Sequence, residues 1–223
     1  MPGARVSVVM PVLNESQRVR GALARLAGVT TECIVVDGGS TDNTSSEAEA
    51  AGAQVIRSER GRALQQNAGA EAASGDVLLF LHVDTVLPCC ARERLESFAD
   101  SSDEWGRFDV SLSGSARWFR MIEWFMNRRS RLTGIATGDQ AIFVRRSVFE
   151  EIGGFAAIEL MEDIELSARL RERSKPVCLG DRVITSSRRW EACGVPRTVL
   201  LMWRLRLQFF LGVSPARLAE LYR

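Results

Sequence analysis

The chemistry this sequence could do rests first on acids that follow short apolar runs. Asn14 and Glu15, Asp37, and Asp84 stand just beyond the runs Arg5 to Met10, Cys33 to Val36 and Val77 to Leu81. Such runs read as buried strands. One acid at a strand end arises easily by chance. Three such ends on one edge of a sheet have the pattern of a site, because ligands of open α/β sheets bind beyond the carboxyl ends of the strands. A later acidic pair, Glu162-Asp163, opens an amphipathic helix read over 162–173. The opposite charge is supplied almost wholly by arginine, with Lys175 the only lysine. His82 is the only histidine, which excludes a multi-His metal cage and leaves one imidazole for acid–base work. A Schiff base would rest on Lys175 alone.

The elements that must position these groups alternate in type up to about residue 100. Helices are expected from Ser16 to about 27, through an Ala-rich stretch to about 51, and over 61–74. Gln54 to Ile56 adds a further strand. This alternation implies βαβ units and a parallel sheet. The second half is less regular. It reads as a strand at 108–112, a helix over 117–132, a strand at 140–144, a short helix closing at Gly153-Gly154, and a helix over 199–211. In that last helix Arg204 and Gln208 share a face and Arg206 points elsewhere. A length of 223 residues suits a single domain, divided here into halves 1–100 and 101–223.

Composition removes several classes. Apolar residues at 46% and charged residues at 26% are globular values, against disorder or a coiled coil. Five cysteines, odd in number and without a Cys-x-x-Cys pair, argue for reduced thiols in a cytoplasmic protein rather than a disulfide framework or zinc site. The N-terminus runs into the first strand with no signal-peptide core, and no window reaches the roughly 18 apolar residues of a membrane span. A net charge of +1 argues against nucleic-acid binding. No P-loop, no Gly-x-Gly-x-x-Gly after a strand and no Gly-x-Ser-x-Gly elbow is present.

The charge is unevenly spread. Segments 117–146 and 182–223 carry +5 and +6 and hold four of the five tryptophans, Trp118, Trp124, Trp190 and Trp203. Two readings stand side by side. These segments pack in the core or against a second copy as a homodimer, or they attach to an anionic membrane surface, with arginine and tryptophan at the headgroup level.

The ordered motifs resemble the family-2 glycosyltransferases, with their GT-A nucleotide-diphospho-sugar transferase fold. Pro11-Val12-Leu13-Asn14-Glu15 is similar to the family's Pro-x-x-Asn-Glu, and Val36-Asp37-Gly38-Gly39-Ser40-Thr41-Asp42 to its Val-Asp-Asp-Gly-Ser-Thr-Asp. Gly61-Arg62 with Asn67-Ala68-Gly69 resembles its Gly-x-x-x-Ala-x-Asn-x-Gly helix. His82-Val83-Asp84 stands at its Asp-x-Asp, and Met161-Glu162-Asp163 at its Glu-Asp. Gly138-Asp139-Gln140 and Arg188-Arg189-Trp190 extend the likeness. Within the family, a short bacterial subgroup of selenium- or arsenosugar-associated transferases looks most similar.

The resemblance implies an α/β fold with a mostly parallel sheet flanked by helices. It implies a nucleotide-binding first half and an acceptor-side second half ending in amphipathic helices. The activity implied is inverting, metal-dependent transfer of a sugar from a nucleoside-diphosphate-sugar donor to a hydroxyl acceptor, small or lipid-linked. The enzyme would be cytoplasmic, or peripheral at the inner face of the membrane. Donor contacts would come from Pro11, Leu13, Glu15, Asp37, Arg62, Asn67, His82, Val83, Arg188, Arg189 and Trp190. Asp37 would accept the base N–H, Glu15 the ribose hydroxyls, and the arginines would meet the diphosphate. Asp84 would hold Mn2+ or Mg2+, which prefer oxygen ligands. Asp163 would be the general base, with Gly138, Asp139, Gln140 and Glu162 toward the acceptor.

Each residue also has a plainer reading. Asp37 and Asp139 would serve turns, Glu162 and Asp163 would be favourable charges at a helix N-terminus, Arg62, Arg188 and Arg189 would be solvated, and Trp190 would be a core aromatic. His82 replaces the family's first Asp. It is either a satisfied strand-end histidine, a nucleotide or metal contact, or the mark of altered metal dependence. Two other functions compete: a sugar-phosphate nucleotidyltransferase, against which the loop Pro11 to Glu15 counts, and a non-catalytic nucleotide- or membrane-binding module.

Overall fold

The computed structural model describes residues 5–222. The N-terminal residues before Arg5, on which the absence of a leader was read, lie outside them. One seven-stranded sheet has the order β3-β2-β1-β4-β6-β5-β7. Strands β1 (Val6–Val12), β2 (Glu32–Asp37), β3 (Gln54–Arg57) and β4 (Val77–Phe80) are mutually parallel. Strand β6 (Phe143–Arg145) runs antiparallel between β4 and β5 (Trp105–Leu112), and β7 (Val177–Thr185) pairs parallel with β5. The α/β class with a mostly parallel sheet is thus as expected.

The central strands are apolar on both faces because helices cover both. Val8 and Met10 of β1 face one layer, where Val19 and Leu23 of α1 (Ser16–Ala24) and Leu95 and Phe98 of α4 (Ala91–Asp100) pack. Val9, Ile34 and Val36 face the other, against Ala63 and Ala70 of α3 (Arg62–Ala72) and Leu166 and Leu170 of α7 (Glu162–Arg173). This is the period-2 alternation of a strand buried on both sides. Helix α3 lies so close that a Cβ on Gly69 would sit 2.4 Å from Val9 Cγ1 and 2.8 Å from Val36 Cγ2. Helix α2 (Thr44–Ala50) completes the first half.

In the second half, α5 (Arg117–Thr133) does work that a neighbouring strand would otherwise do. Asn127 accepts from Val110 N at 2.8 Å and donates to Val110 O at 2.9 Å, and Glu123 accepts from Leu112 N at 2.7 Å. These buried side chains satisfy β5 backbone groups and turn the opposite face of α5 outward. The expected strand at 140–144 begins only at Phe143, because Gly138–Gln140 winds into a 3-10 turn capped by Thr137 and Gln140. Beyond it lies α6 (Arg146–Glu151). Strand β7 and helices α4, α8 (Arg188–Cys193) and α10 (Pro215–Tyr222) were not anticipated, and α9 (Val195–Phe210) starts four residues before the expected helix, with a proline in its first turn.

Candidate active site

The strand order reverses between β1 and β4, and a cavity of about 490 Å3 opens there. Pro11, Leu13 and Glu15 leave β1 along one wall. His82, Val83 and Asp84 leave β4 along the other, and Arg62 at the start of α3 closes a third side. A second cavity of about 360 Å3 shares Arg62, Leu160 and Tyr222 with the first. Its wall includes Asp139, Asp163 and Trp190. The two spaces meet between the start of α3, the turn before α7 and the end of α10.

Local hydrogen bonds fix the strand-end loops. Asn14 adopts φ 54°, donates its N–H to Ser40 Oγ at 2.8 Å and accepts from Thr41 N at 2.9 Å. Buried Gln65 donates through Nε2 to Val12 O at 2.9 Å and Val36 O at 2.8 Å, tying the ends of β1 and β2 together. Asp37 is buried one strand away from the first cavity and does not line it. Its carboxylate accepts from Ser40 N (2.9 Å), Ser40 Oγ (2.6 Å) and Ser45 Oγ (2.6 Å). Burial works against its charge, but the serine hydrogen bonds prevail and hold its pKa below the ordinary value.

The acidic pair is held by an unusual backbone. Met161 stands at φ 69°, the left-handed region, and turns the chain into α7. Asp163 lines the second cavity. Its Oδ2 accepts from Gly138 N at 2.7 Å and its Oδ1 from Ile164 N at 2.7 Å. Two amides leave lone pairs free on a carboxylate. Glu162 lines neither cavity; its Oε1 meets Arg62 Nε at 2.9 Å and its buried Oε2 has no hydrogen-bond partner. Burial, then the charge of Asp163, pushes the Glu162 carboxyl up to about 7 against the pull of Arg62. For Arg62, burial is outweighed by Glu162 and Asp163, which raise its pKa.

The Gly138 backbone is where the imidazole and the acid meet. A Cβ on Gly138 would stand 2.7 Å from His82 Nε2 and 3.7 Å from Asp163 Oδ2. A side chain there would displace the His82 imidazole. Asp139 is raised by burial, with His82 opposing.

Several expected contacts lie elsewhere. Asn67 is spent on Phe155, donating to its carbonyl and accepting from its N–H, each at 2.8 Å, and so anchors a loop. Gln140 is fully buried and accepts from Thr137 N at 3.2 Å, within the 3-10 cap rather than on a cavity wall. Trp190 reaches the second cavity and not the first, packed near Phe119 and Ile122. Arg188 lines neither cavity but donates to Asp84 Oδ2 at 3.2 Å. Arg189 lies 3.6 Å over the Tyr222 ring and donates to its carbonyl at 2.9 Å, holding α10 over the shared wall. Sequence reasoning missed Gln65, Tyr222, and the two arginines Arg129 and Arg206 of the second cavity. The one available signal was the uniqueness of Tyr222.

The outer apolar side chains of the basic segments are exposed. They include Trp118, Trp124 and Phe125 of α5 and Leu200, Trp203, Leu207 and Phe210 of α9. Core packing therefore does not account for these faces. No helix among the described residues is long and apolar enough to cross a membrane.

Glucosyl-3-phosphoglycerate synthase of Mycobacterium tuberculosis is 34% identical over 101 residues, covering 39% of this chain and 31% of that protein. The chain thus spans about a third of the curated relatives it matches first. An undecaprenyl-phosphate 4-deoxy-4-formamido-L-arabinose transferase of Serratia proteamaculans is 31% identical over 166 residues, covering 65% of this chain and 49% of that protein. Among solved structures, a mannosyltransferase from Pyrobaculum calidifontis in complex with GDP-Man and Mn2+ superposes with a TM-score of 0.62 at 22% identity, over 92% of this chain and 61% of that one. Glucosyl-3-phosphoglycerate synthase from Mycobacterium tuberculosis with Mg2+ and UDP gives 0.61 at 19% identity, over 81% of this chain and 70% of that one. These likenesses show the fold. The family follows from a sequence profile, described as Glycosyl transferase family 2, that matches residues 7–156, more than half of the chain: the protein belongs to that family.

Proposed function

We propose that this chain transfers a sugar from a nucleoside-diphosphate donor to a hydroxyl acceptor. The observation that carries the reading is the pair of adjoining cavities, one at the topological switch point with Asp84, the other with Asp163, sharing Arg62 and Tyr222. The donor occupies the first cavity, with Glu15 toward the ribose, His82 beside the nucleotide or cation, and Arg62 toward the diphosphate. Family membership sets the nucleotidyltransferase alternative aside.

The residues fit a divalent cation. Asp84 presents a carboxylate on the cavity wall, and its partner is a single exposed arginine, Arg188, at 3.2 Å. No cluster of three or more His, Cys, Asp or Glu is assembled among the described residues. Asp84, with His82 near it, would therefore hold Mn2+ or Mg2+ together with phosphate oxygens and water, a set both ions accept. A cation held there would supply positive charge against the leaving diphosphate. Arg188, released from Asp84, supplies a further cation beside it.

In the second cavity Asp163 takes the proton of the acceptor hydroxyl as that oxygen attacks the anomeric carbon. The bond to the diphosphate breaks on the opposite face, so the configuration inverts. Glu162 positions Arg62 rather than touching the acceptor. The mouth of this cavity carries the exposed Phe125 and Trp203, and exposed Arg128 lies 5.6 Å from the Trp124 ring. This surface suits peripheral attachment to an anionic membrane and a lipid-linked acceptor. The relatives named above include none of the selenium- or arsenosugar-associated subgroup, and the reading does not rest on it.

A thermal-shift screen of nucleoside diphosphates and their sugars, with and without Mn2+, tests the donor site. Stabilisation by at least one nucleotide, increased by Mn2+, is expected. A well-folded sample stabilised by none contradicts the reading.

A further inference from the structure

The second cavity contains two cations that the proposed reaction does not use. Arg129 comes from α5 and Arg206 from α9, and both line the wall that holds Asp163. Neither forms an ion pair with a carboxylate among the described residues, although most arginines buried to this degree are paired. Arg129 has only a long contact from Nη1 to Ile135 O, at 3.4 Å, and its buried Nε and Nη2 have no partner. Arg206 makes no hydrogen bond among the described residues.

Electrostatics agree with this geometry. Burial, then the nearby charge of Arg206, pushes the Arg129 guanidinium down to about 10. Burial also lowers Arg206, with Asp163 and Asp139 pulling the other way. Two guanidinium groups without an ion-pair partner on the wall of one half-enclosed space are costly unless an anion joins them. Asp139, Asp163 and Arg62 lie on the same wall, and most of the rest is apolar, with Met121, Phe125, Met126, Met202 and Trp203.

We propose that Arg129 and Arg206 form an anion clamp in the acceptor cavity, so that the acceptor carries a phosphate monoester or diester close to its attacked hydroxyl. This deepens the function proposed above and rests on it. Planar guanidinium forks suit phosphate oxygens, and the apolar wall takes the carbon skeleton beside them. The clamp also explains why Arg206 is turned inward on a helix whose other arginines, Arg197 and Arg204, are exposed. The phosphate enters either on a small soluble molecule or on a lipid headgroup.

The test uses the full chain and two probes, glycerol 3-phosphate and vesicles containing phosphatidic acid, with glycerol and neutral phosphatidylcholine vesicles as controls. Calorimetry and co-sedimentation are run on the wild type, Arg129→Gln, Arg206→Gln and Arg206→Lys. UDP and GDP binding with Mn2+ is measured on the same samples, so failure of the donor site is seen separately. The clamp predicts that wild type binds at least one phosphate probe over its control. Both Gln variants lose about tenfold or more of that affinity, Arg206→Lys retains part, and nucleotide binding does not change. Preference for glycerol 3-phosphate identifies a soluble acceptor, and preference for phosphatidic acid a lipid-borne one; either supports the clamp. Binding of neither probe by the wild type, or equal binding by folded Gln variants, overturns it.

Discussion

Glu162→Gln isolates a buried proton. Glu162 is 3% exposed, and its pKa stands near 7 against an ordinary 4.5. The native chain therefore keeps this proton between pH 4.5 and 7, where the unfolded chain has lost it. The unfolded state binds fewer protons in that window, so native stability falls as pH rises through it and levels off above 7. A displacement from 4.5 to about 7 amounts to roughly 3 kcal/mol at 1.36 kcal/mol per unit. Glutamine imitates the protonated acid and cannot titrate. Urea denaturation of wild type and Glu162→Gln at pH 5 and pH 8.5 reads the effect. The variant should gain on wild type by roughly 2–3 kcal/mol between the two pH values. Glutamine keeps the side-chain shape beside Arg62, so the fold should stay intact at both. Parallel stability curves for the two proteins, with no pH-dependent difference, would refute the argument that burial and Asp163 hold the proton.

Three further outcomes follow from the same structure. Asp163→Asn should lower kcat by about 10²–10⁴-fold while leaving nucleotide affinity near wild type; unchanged turnover would remove Asp163 as the base and favour a binding module. Asn67→Ala strips both hydrogen bonds from Phe155 and should cost about 1–3 kcal/mol in urea denaturation, yet spare nucleotide binding; a selective loss of nucleotide affinity would return Asn67 to the donor site. Co-sedimentation with anionic vesicles at low salt should be strong and should fall with added salt. A Trp203→Ser, Phe210→Ser double variant should weaken it. No binding, with a concentration-dependent dimer seen by ultracentrifugation, would assign the exposed α5 and α9 faces to a second copy.

How far the sequence reached depended on the kind of signal. Glu15, His82 and Asp84 were legible because each sits where a hydrophobic run meets a motif and chain direction fixes the side of the sheet, and Asp163 because an acidic pair opens an amphipathic helix. Asn67 and Gln140 belong to the same motifs, but their amides are consumed by Phe155 and Thr137, and a spacing pattern carries no record of hydrogen-bond partners. Strand β7 was missed because Gly180-Asp181-Arg182 interrupts its apolar run and much of it is only partly buried at the sheet edge. Arg206 was read as pointing away from Arg204 and Gln208, which is correct on the helix wheel. That its direction is into a cavity depends on where α5 lies, and α5 is set there by Asn127 and Glu123 bonding to β5. Trp190 was assigned to the donor, but α8 carries it to the neighbouring cavity. These are tertiary facts, and local patterns do not contain them.

The proposed donor site requires that the switch-point cavity bind a nucleoside diphosphate through a cation held by Asp84. Calorimetric titration of UDP and GDP into wild type and Asp84→Ala, each with Mn2+ and again with excess chelator, measures this most directly. Wild type should bind with Mn2+, and affinity should fall on the order of tenfold or more both on chelation and in Asp84→Ala. Nucleotide binding of equal strength in all four conditions, or in none, would contradict it.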